Sequence, residues 1–152
     1  MTDMYSASMM PKLEWEELFS TGIDYFDKQH KVLFGFINVL RSNTVGKRNL
    51  EVVNEVTDSL LNYTMTHFLE EEIVLCRLDF PGFADHKAEH DEFLIAVRDL
   101  YIRFKAGKSE SRLIAAEIIT VVSEWLQGHI LVKDKAYGEF LLQKGFTPEM
   151  VK

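Results

Sequence analysis

The chain has 152 residues, of which 47% are hydrophobic and 27% are charged. This length and composition predict one globular domain that buries a single core. The net charge of −7 argues against a nucleic-acid partner, which requires a basic face. Every apolar run falls short of the roughly 18–20 residues that a membrane span needs, so we expect no membrane association.

The amino terminus and the cysteine content bear on cellular location. The opening residues, Met-Thr-Asp-Met-Tyr, lack the basic and apolar stretches of a secretion signal. Cys76 is the only cysteine, so it has no partner for an internal disulfide, and we expect a half-buried apolar residue there. Together these features predict a cytoplasmic protein.

The chain begins with an irregular stretch and continues in helical patterns. Residues 1–12 lack hydrophobic periodicity, which predicts a flexible amino-terminal arm, and residues 13–22, with Trp15, Leu18 and Phe19, are expected to pack across the helices before Gly22. Hydrophobic side chains then recur every three or four residues. These patterns predict helices over about residues 24–42, 49–77, 83–106 and 110–131, and a helical stub over about 134–144 that ends at Gly145.

The spacing of the hydrophobic side chains predicts how these helices pack. Alternating steps of three and four residues indicate helices that cross at shallow angles. Short connections make consecutive helices antiparallel. The predicted fold class is therefore all-α: an up-down-up-down four-helix bundle with an N-terminal arm and a short C-terminal helical stub.

The histidines form the main chemical signal. All five fall on the apolar faces of the predicted helices: His30, His67, His86, His90 and His129. A single histidine on such a face is usually an ordinary core residue. Several imidazoles left unsatisfied in one core would cost about 1–3 kcal/mol each, and a shared metal site satisfies them together. In an up-down-up-down bundle, their positions along the helices place them at one end.

Two carboxylates extend this set. Glu71 follows His67 by four residues and lies on the same helix face. Asp134 follows His129 by five residues, where the fourth helix is expected to give way to the stub. Glu70 and Glu72, which flank Glu71, are expected to be solvated helix surface.

The number and type of these ligands favour a pair of metal ions. The imidazoles, two bridging carboxylates and one bridging oxygen leave a single coordination position open on two octahedral ions. One zinc ion is a poor match, because zinc prefers four tetrahedral ligands. Mixed imidazole and carboxylate ligation suits iron, although two zinc ions remain an alternative.

Four segments carry a family resemblance. They are Asp27-Lys28-Gln29-His30, His67-Phe68-Leu69-Glu70-Glu71-Glu72, His86-Lys87-Ala88-Glu89-His90, and Trp125-Leu126-Gln127-Gly128-His129-Ile130 followed by Asp134. In this order and with these spacings they resemble the hemerythrin family, and in particular its bacterial single-domain members. With Trp15 and Gly22 the resemblance covers about residues 13–144. It implies that residues 13–152 form one hemerythrin-like di-iron domain.

The resemblance implies a role for each ligand. His86, His90 and His129 are implied to hold one iron ion, and His30 and His67 the other. Glu71 and Asp134 are implied to bridge the two ions, together with an oxo or hydroxo group. The ion with fewer histidines is implied to carry the open position.

The resemblance also implies an apolar pocket and a function. The pocket beside the open position is implied to be formed by Leu33, Phe68, Trp125, Leu126 and Ile130. The implied function is reversible dioxygen binding for transport, storage or delivery, without enzymatic turnover. Delivery would involve an oxygen-consuming protein partner of unknown identity.

Two other functions are compatible with a metal-binding bundle. Ferritin-like di-iron oxidases and peroxidases use more carboxylates and paired Glu-x-x-His turns, and no Glu-x-x-His occurs in this chain. An oxygen- or iron-responsive regulatory module would use the same centre. No second domain that could receive a signal is evident in the sequence.

Overall fold

The computed structural model describes residues 12–45, 50–106 and 111–152. Four long helices, α1 (Asp24–Val45), α2 (Leu50–Arg77), α3 (Phe83–Lys105) and α4 (Ser111–His129), confirm the predicted ones. A π-helical segment, Ile130–Asp134, joins α4 directly to α5 (Lys135–Gln143), the predicted stub. Short 3₁₀ turns occupy Glu17–Phe19 and Pro148–Val151. The predicted arm lies outside the described residues except for Lys12.

The helices enclose a common core. α1 and α3 each pack against both α2 and α4, as an up-down-up-down bundle requires. A long core cluster, which includes Leu33, Leu60 and Phe68, runs along the bundle. A smaller end cluster contains Ile23, Phe26, Val74, Leu75, Tyr137 and Leu141. The layer between these two clusters holds the metal-ligand candidates, since His30 lies between Phe26 and Leu33 along α1.

The segment before α1 packs across the bundle as predicted. The rings of Trp15 and Phe19 lie 5.6 and 5.2 Å from the ring of Phe34, whereas Leu18 is 46% exposed. Asp27 is used structurally, because its Oδ1 accepts a hydrogen bond of 2.8 Å from the amide of Thr21. This contact holds the turn at the start of α1.

The π segment differs from the predicted end of the fourth helix near residue 131. No break occurs between α4 and α5. Residues five apart on an α-helix point about 140° away from each other, whereas the hydrogen bonds of a π-helix join residues five apart. The π turn therefore brings His129 and Asp134 onto the same side of the bundle.

A close approach between α5 and the amino-terminal segment fixes the stub. A Cβ added to Gly138 would lie 1.9 Å from the carbonyl oxygen of Thr21. Nearby on α5, Lys135 Nζ donates a hydrogen bond of 2.9 Å to the carbonyl of Leu18 in the amino-terminal segment. Glycine at position 138 is therefore what lets α5 lie against this turn.

The side chain of Cys76 differs from its expected burial. Cys76 is exposed, so the expectation of a half-buried side chain is wrong; Val74 and Leu75 occupy the core-facing positions of that turn, which directs the next residue outward. Among the residues that the structure describes, no helix has both the length and the apolar character needed to cross a membrane.

Candidate metal centre

The seven predicted ligands meet in one buried cluster. None of them is more than 4% exposed: His30, His67, Glu71, His86, His90, His129 and Asp134. Their ligand atoms form two groups that could each hold a metal ion, with the atoms of each group within 4.8 Å of one another. One group comprises His86, His90, His129 and Glu71, and the other comprises His30, His67, Glu71 and Asp134. We call them the three-histidine group and the two-histidine group.

Glu71 faces both groups. Its Oε1 lies 3.2 Å from Nε2 of His86 and 3.3 Å from Nε2 of His90. Its Oε2 lies 3.1 Å from Nε2 of His67 and 3.5 Å from Nε2 of His30. The carboxylate thus presents one oxygen to each group, which is the arrangement that a bridging ligand needs.

Asp134 repeats this arrangement from the π segment. Its Oδ1 lies 3.1 Å from Nε2 of His129, and its Oδ2 lies 3.1 Å from Nε2 of His30. Within the groups, the Nε2 atoms of His30 and His67 are 3.1 Å apart, as are those of His90 and His129. Two ligands bound about 2.1 Å from one ion at right angles lie about 3.0 Å apart, so these spacings suit a common ion.

Unsatisfied buried atoms provide a test of whether these residues fit a metal pair. Among the described residues, neither oxygen of Asp134 has a hydrogen-bond partner, although both lie close to imidazole nitrogens. Burying a carboxylate without compensation is costly, and ligation would remove that cost. The donor set of imidazoles and carboxylates also matches the preferences of iron.

The match to known proteins covers the region that contains this centre. The family model described as Hemerythrin HHE cation binding domain matches residues 21–141. The chain belongs to the hemerythrin family. Its sequence is 34% identical over 130 residues to the bacteriohemerythrin of Stenotrophomonas maltophilia (strain R551-3), covering 86% of this chain and 82% of that protein.

A second relative and a solved structure agree. The bacteriohemerythrin of Methylococcus capsulatus (strain ATCC 33009 / NCIMB 11132 / Bath) is 34% identical over 123 residues, covering 81% of this chain and 91% of the relative. A wild-type hemerythrin crystal structure superposes with a TM-score of 0.77 at 32% identity, covering 85% of this chain and 97% of the other. The hemerythrin fold is therefore shown by sequence and by shape.

The imidazoles of this hemerythrin centre are oriented by outer hydrogen bonds. Nδ1 of His67 donates to Oε1 of Gln29 at 2.5 Å. Nδ1 of His90 donates to Oε2 of Glu72 at 2.8 Å, and Nδ1 of His129 donates to Oε1 of Glu89 at 3.2 Å. A proton fixed on Nδ1 leaves the lone pair on Nε2, which is the atom that faces the cluster interior.

These contacts overturn one expectation from the sequence. Glu72 is half-buried and bonded to His90, and Glu70 accepts hydrogen bonds from Gln29 Nε2 at 3.1 Å and from the Tyr25 hydroxyl. Neither glutamate is simple solvated surface. The reason is that α2 packs against both α1 and α3, so side chains from both helices reach the positions that flank Glu71.

Tyr137 is a buried member of the site that the sequence reasoning missed. Its hydroxyl donates a hydrogen bond of 2.5 Å to Oε2 of Glu71, and the residue is 0% exposed. Burial and the nearby carboxylates of Glu71 and Asp134 raise its pKa well above the usual value, so it stays a donor. A signal was present: Tyr137 lies three residues after Asp134, on the same helix face.

The charges of the cluster are strongly coupled. Burial alone would lower the pKa of His30, but contacts with Asp134 and Glu71 outweigh it and raise the pKa to about 9. For His90, contacts with Glu71 and Glu72 likewise outweigh burial and raise the pKa to about 9. Burial would raise the pKa of Asp134, but the neighbouring histidines lower it to about 2. Without metal, the carboxylates are thus ionised and protons on imidazoles balance part of their charge.

At one histidine, burial has the largest effect on the pKa. Desolvation lowers the pKa of His67 despite its contact with Glu71. At Glu71 itself, burial opposes ionisation, but contacts with His67, His30 and His86 hold the pKa well below its usual value. His67 is therefore the neutral imidazole of the two-histidine group.

An apolar cavity adjoins the ligands. The ring of Phe68 stacks on His90 at 3.7 Å between centroids, and Trp125 stacks on His129 at 4.3 Å. Both aromatic residues line a cavity of about 10 Å³, together with Leu33, Thr64, Phe93, Val122 and Leu126. This volume is at the lower limit of the space that one water molecule needs.

Four of the five predicted pocket residues line this cavity. Ile130 is fully buried but is not among the lining residues. The sequence reasoning did not include Thr64, Phe93 or Val122. Helical spacing could have found two of them, because Thr64 lies three residues before His67 and Phe93 three residues after His90.

Proposed function

We propose that this hemerythrin domain binds dioxygen reversibly at a non-haem centre of two iron ions. The main support is the arrangement of two carboxylates. Glu71 and Asp134 each direct one oxygen to the three-histidine group and the other oxygen to the two-histidine group. Two separate metal sites would not need this sharing. Relatives named bacteriohemerythrin support the same function.

The proposed ligands divide between the two ions. His86, His90 and His129 would hold one iron ion and His30 and His67 the other, and Glu71 and Asp134 would be shared between them, with an oxo or hydroxo group. The two-histidine ion, with fewer protein ligands, would have the open position. When bound, the ferrous pair would supply the electrons that dioxygen takes up on binding and returns on release.

The apolar cavity is the proposed place for the bound oxygen. Leu33, Phe68 and Leu126 exclude water through their apolar surfaces. The one hydroxyl in the lining, that of Thr64, donates a hydrogen bond of 2.7 Å to the carbonyl of Leu60. Among the described residues that line the cavity, none is a carboxylate, imidazole or amine. We propose binding rather than turnover, which is the function that this apolar lining supports.

Dioxygen is the proposed ligand of this centre. Transport, storage and delivery to an oxygen-consuming protein all require the same centre. Cys76 is exposed and unpaired, which fits a reducing compartment, and a cytoplasmic location stays a prediction.

An oxygen-cycling experiment tests the proposed function. The protein is loaded with ferrous iron without air, oxygen is admitted, and oxygen is then removed. We expect a visible absorption that appears with oxygen and disappears on its removal over several cycles. The matched variants are Glu71→Ala, which removes a bridging ligand and should abolish the signal, and Glu124→Ala, which removes an exposed charge on α4 and should preserve it. An absorption that develops once and never reverses would refute reversible binding.

A further inference from the structure

The outer hydrogen-bond partners differ between the two histidine groups. In the three-histidine group, Nδ1 of His90 and of His129 each face a carboxylate, from Glu72 and Glu89. In the two-histidine group, Nδ1 of His67 faces the neutral amide of Gln29. Nδ1 of His30, and Nδ1 of His86 in the three-histidine group, have no partner among the described residues. Negative charge is therefore placed behind one group only.

A lysine lies outside each of these carboxylates, but only one of the two is bonded to it. Lys133 Nζ lies 3.1 Å from Oε2 of Glu89, whereas Lys87 Nζ lies 3.9 Å from Oε1 of Glu72 and 2.9 Å from Oδ2 of Asp91. The glutamate side chains are 34% and 16% exposed, so they stand between solvent and the buried rings. Glu89 therefore links a surface ammonium to the imidazole of His129.

The Gln29 amide behind His67 is oriented by another glutamate, Glu70. Gln29 donates from Nε2 to Oε2 of Glu70 at 3.1 Å, which leaves its carbonyl oxygen facing Nδ1 of His67. The charge of Glu70 is thus one residue further from the imidazole. Glu70 also accepts from the Tyr25 hydroxyl, so the arrangement is fixed on both sides.

A carboxylate that accepts the Nδ1 proton makes an imidazole a stronger ligand and holds its ring in place, and losing such a partner typically costs 10–100-fold in metal affinity. A neutral amide fixes the ring with less gain in basicity. We propose that Glu72 and Glu89 are positioning residues that make the three-histidine group the tighter iron site. The Gln29–Glu70 pair leaves the two-histidine group as the site from which iron leaves first. This inference rests on the proposed di-iron function.

Iron release to a chelator tests the proposal. The ferrous protein is mixed without air with an excess of a ferrous chelator, and released iron is followed over time. We expect two phases of one iron per chain each, a fast one and a slow one. Glu72→Gln and Glu89→Gln should each speed the slow phase by roughly ten-fold. Glu92→Gln, which removes one exposed charge from α3, the helix that contains Glu89, should leave both phases unchanged.

A double variant tests whether the outer hydrogen-bond partners, rather than the number of histidines, determine the rate of iron release. The double variant Gln29→Glu with Glu70→Gln keeps the net charge and places the carboxylate directly behind His67. We expect it to slow the fast phase by roughly ten-fold, although the histidine count stays the same. An unchanged fast phase would overturn the role of the outer partners.

A spectroscopic signal distinguishes positioning from general stability. In the zinc-loaded, diamagnetic protein, the Nδ1 protons of His90 and His129 are expected as slowly exchanging, far-downfield NMR signals. Each glutamate-to-glutamine change should move the signal of its own histidine upfield and leave the other in place. Signals that do not move, or a slow phase that does not change in either variant, would overturn the proposal. Failure of the di-iron function itself would be distinct, because native protein would then release fewer than two irons per chain or fail to bind oxygen reversibly.

Discussion

The hydroxyl of Tyr137 and the carboxylate of Glu71 are joined by a hydrogen bond of 2.5 Å inside the core. The bond links α5 to α2 at the carboxylate that both histidine groups share. It also connects the end cluster, which contains Tyr137, to the metal-ligand layer. The stub, α5, therefore helps to hold Glu71 in place.

Tyr137→Phe should weaken the metal-free protein without removing a ligand. Loss of a buried hydrogen bond to a charged acceptor costs about 1.5–3 kcal/mol of unfolding free energy. Urea denaturation of metal-free wild type and variant measures this difference, and iron content should remain two per chain. Equal midpoints and slopes for the two proteins would show that the bond contributes nothing to stability.

Metal binding should release protons. The pKa of His30 and the pKa of His90 are each raised to about 9 in the metal-free cluster. Both rings are therefore protonated on both nitrogens, and positively charged, at pH 7.5. A metal ion binds only the neutral form. Affinity should therefore rise with pH and level off above about pH 9, whereas His67, with its lowered pKa, adds no proton.

Calorimetric titration with Co²⁺ in buffers of different ionisation enthalpy counts these protons. We expect more than one proton released per chain at pH 7.5. The count should fall toward zero above pH 9. A count of zero at pH 7.5 would contradict the proposed charge balance of the cluster.

The cavity wall should protect bound oxygen. Leu126 is 3% exposed and lines the cavity, so Leu126→Asn admits a polar group and water there without removing a ligand. We expect intact iron content and faster decay of the oxygenated form to the oxidised, oxygen-free form. Leu126→Met, which keeps the wall apolar at similar volume, is the matched control. The same decay rate in all three proteins would remove Leu126 from the protective wall.

Two glycines of the carboxyl-terminal half should respond oppositely to alanine. At Gly138 an added Cβ would lie 1.9 Å from the carbonyl oxygen of Thr21, whereas at Gly128 nothing lies within 4 Å. Gly138→Ala should lose about 1–3 kcal/mol or more of stability through overpacking. Gly128→Ala should gain about 0.5–1 kcal/mol, because alanine favours the helix. Thermal melts of both variants check the contrast, and a neutral Gly138→Ala would mean that α5 does not pack against this turn.

The fold could be predicted because its signals are local. Helical periodicity and short connections determined the four helices and their antiparallel order, and the structure differs by few residues at their ends. The candidate ligands could be predicted because each histidine lies on an apolar stripe, where an isolated imidazole is costly. Glu71 followed from its helical phase relative to His67.

The remaining features depend on contacts between helices. The sequence placed Asp134 beyond the end of a helix, because the π turn that aligns it with His129 has no reliable sequence signature. Glu72 resembled surface on its own helix, and only the position of α3 shows that it reaches His90.

The most direct test of the central claim is an anomalous difference map from a crystal of the iron-loaded protein. We expect two iron peaks per chain. One should lie among Nε2 of His86, His90 and His129, the other beside Nε2 of His30 and His67, with Glu71 and Asp134 between them. A single peak, or a second iron bound outside this cluster, would contradict a shared di-iron centre.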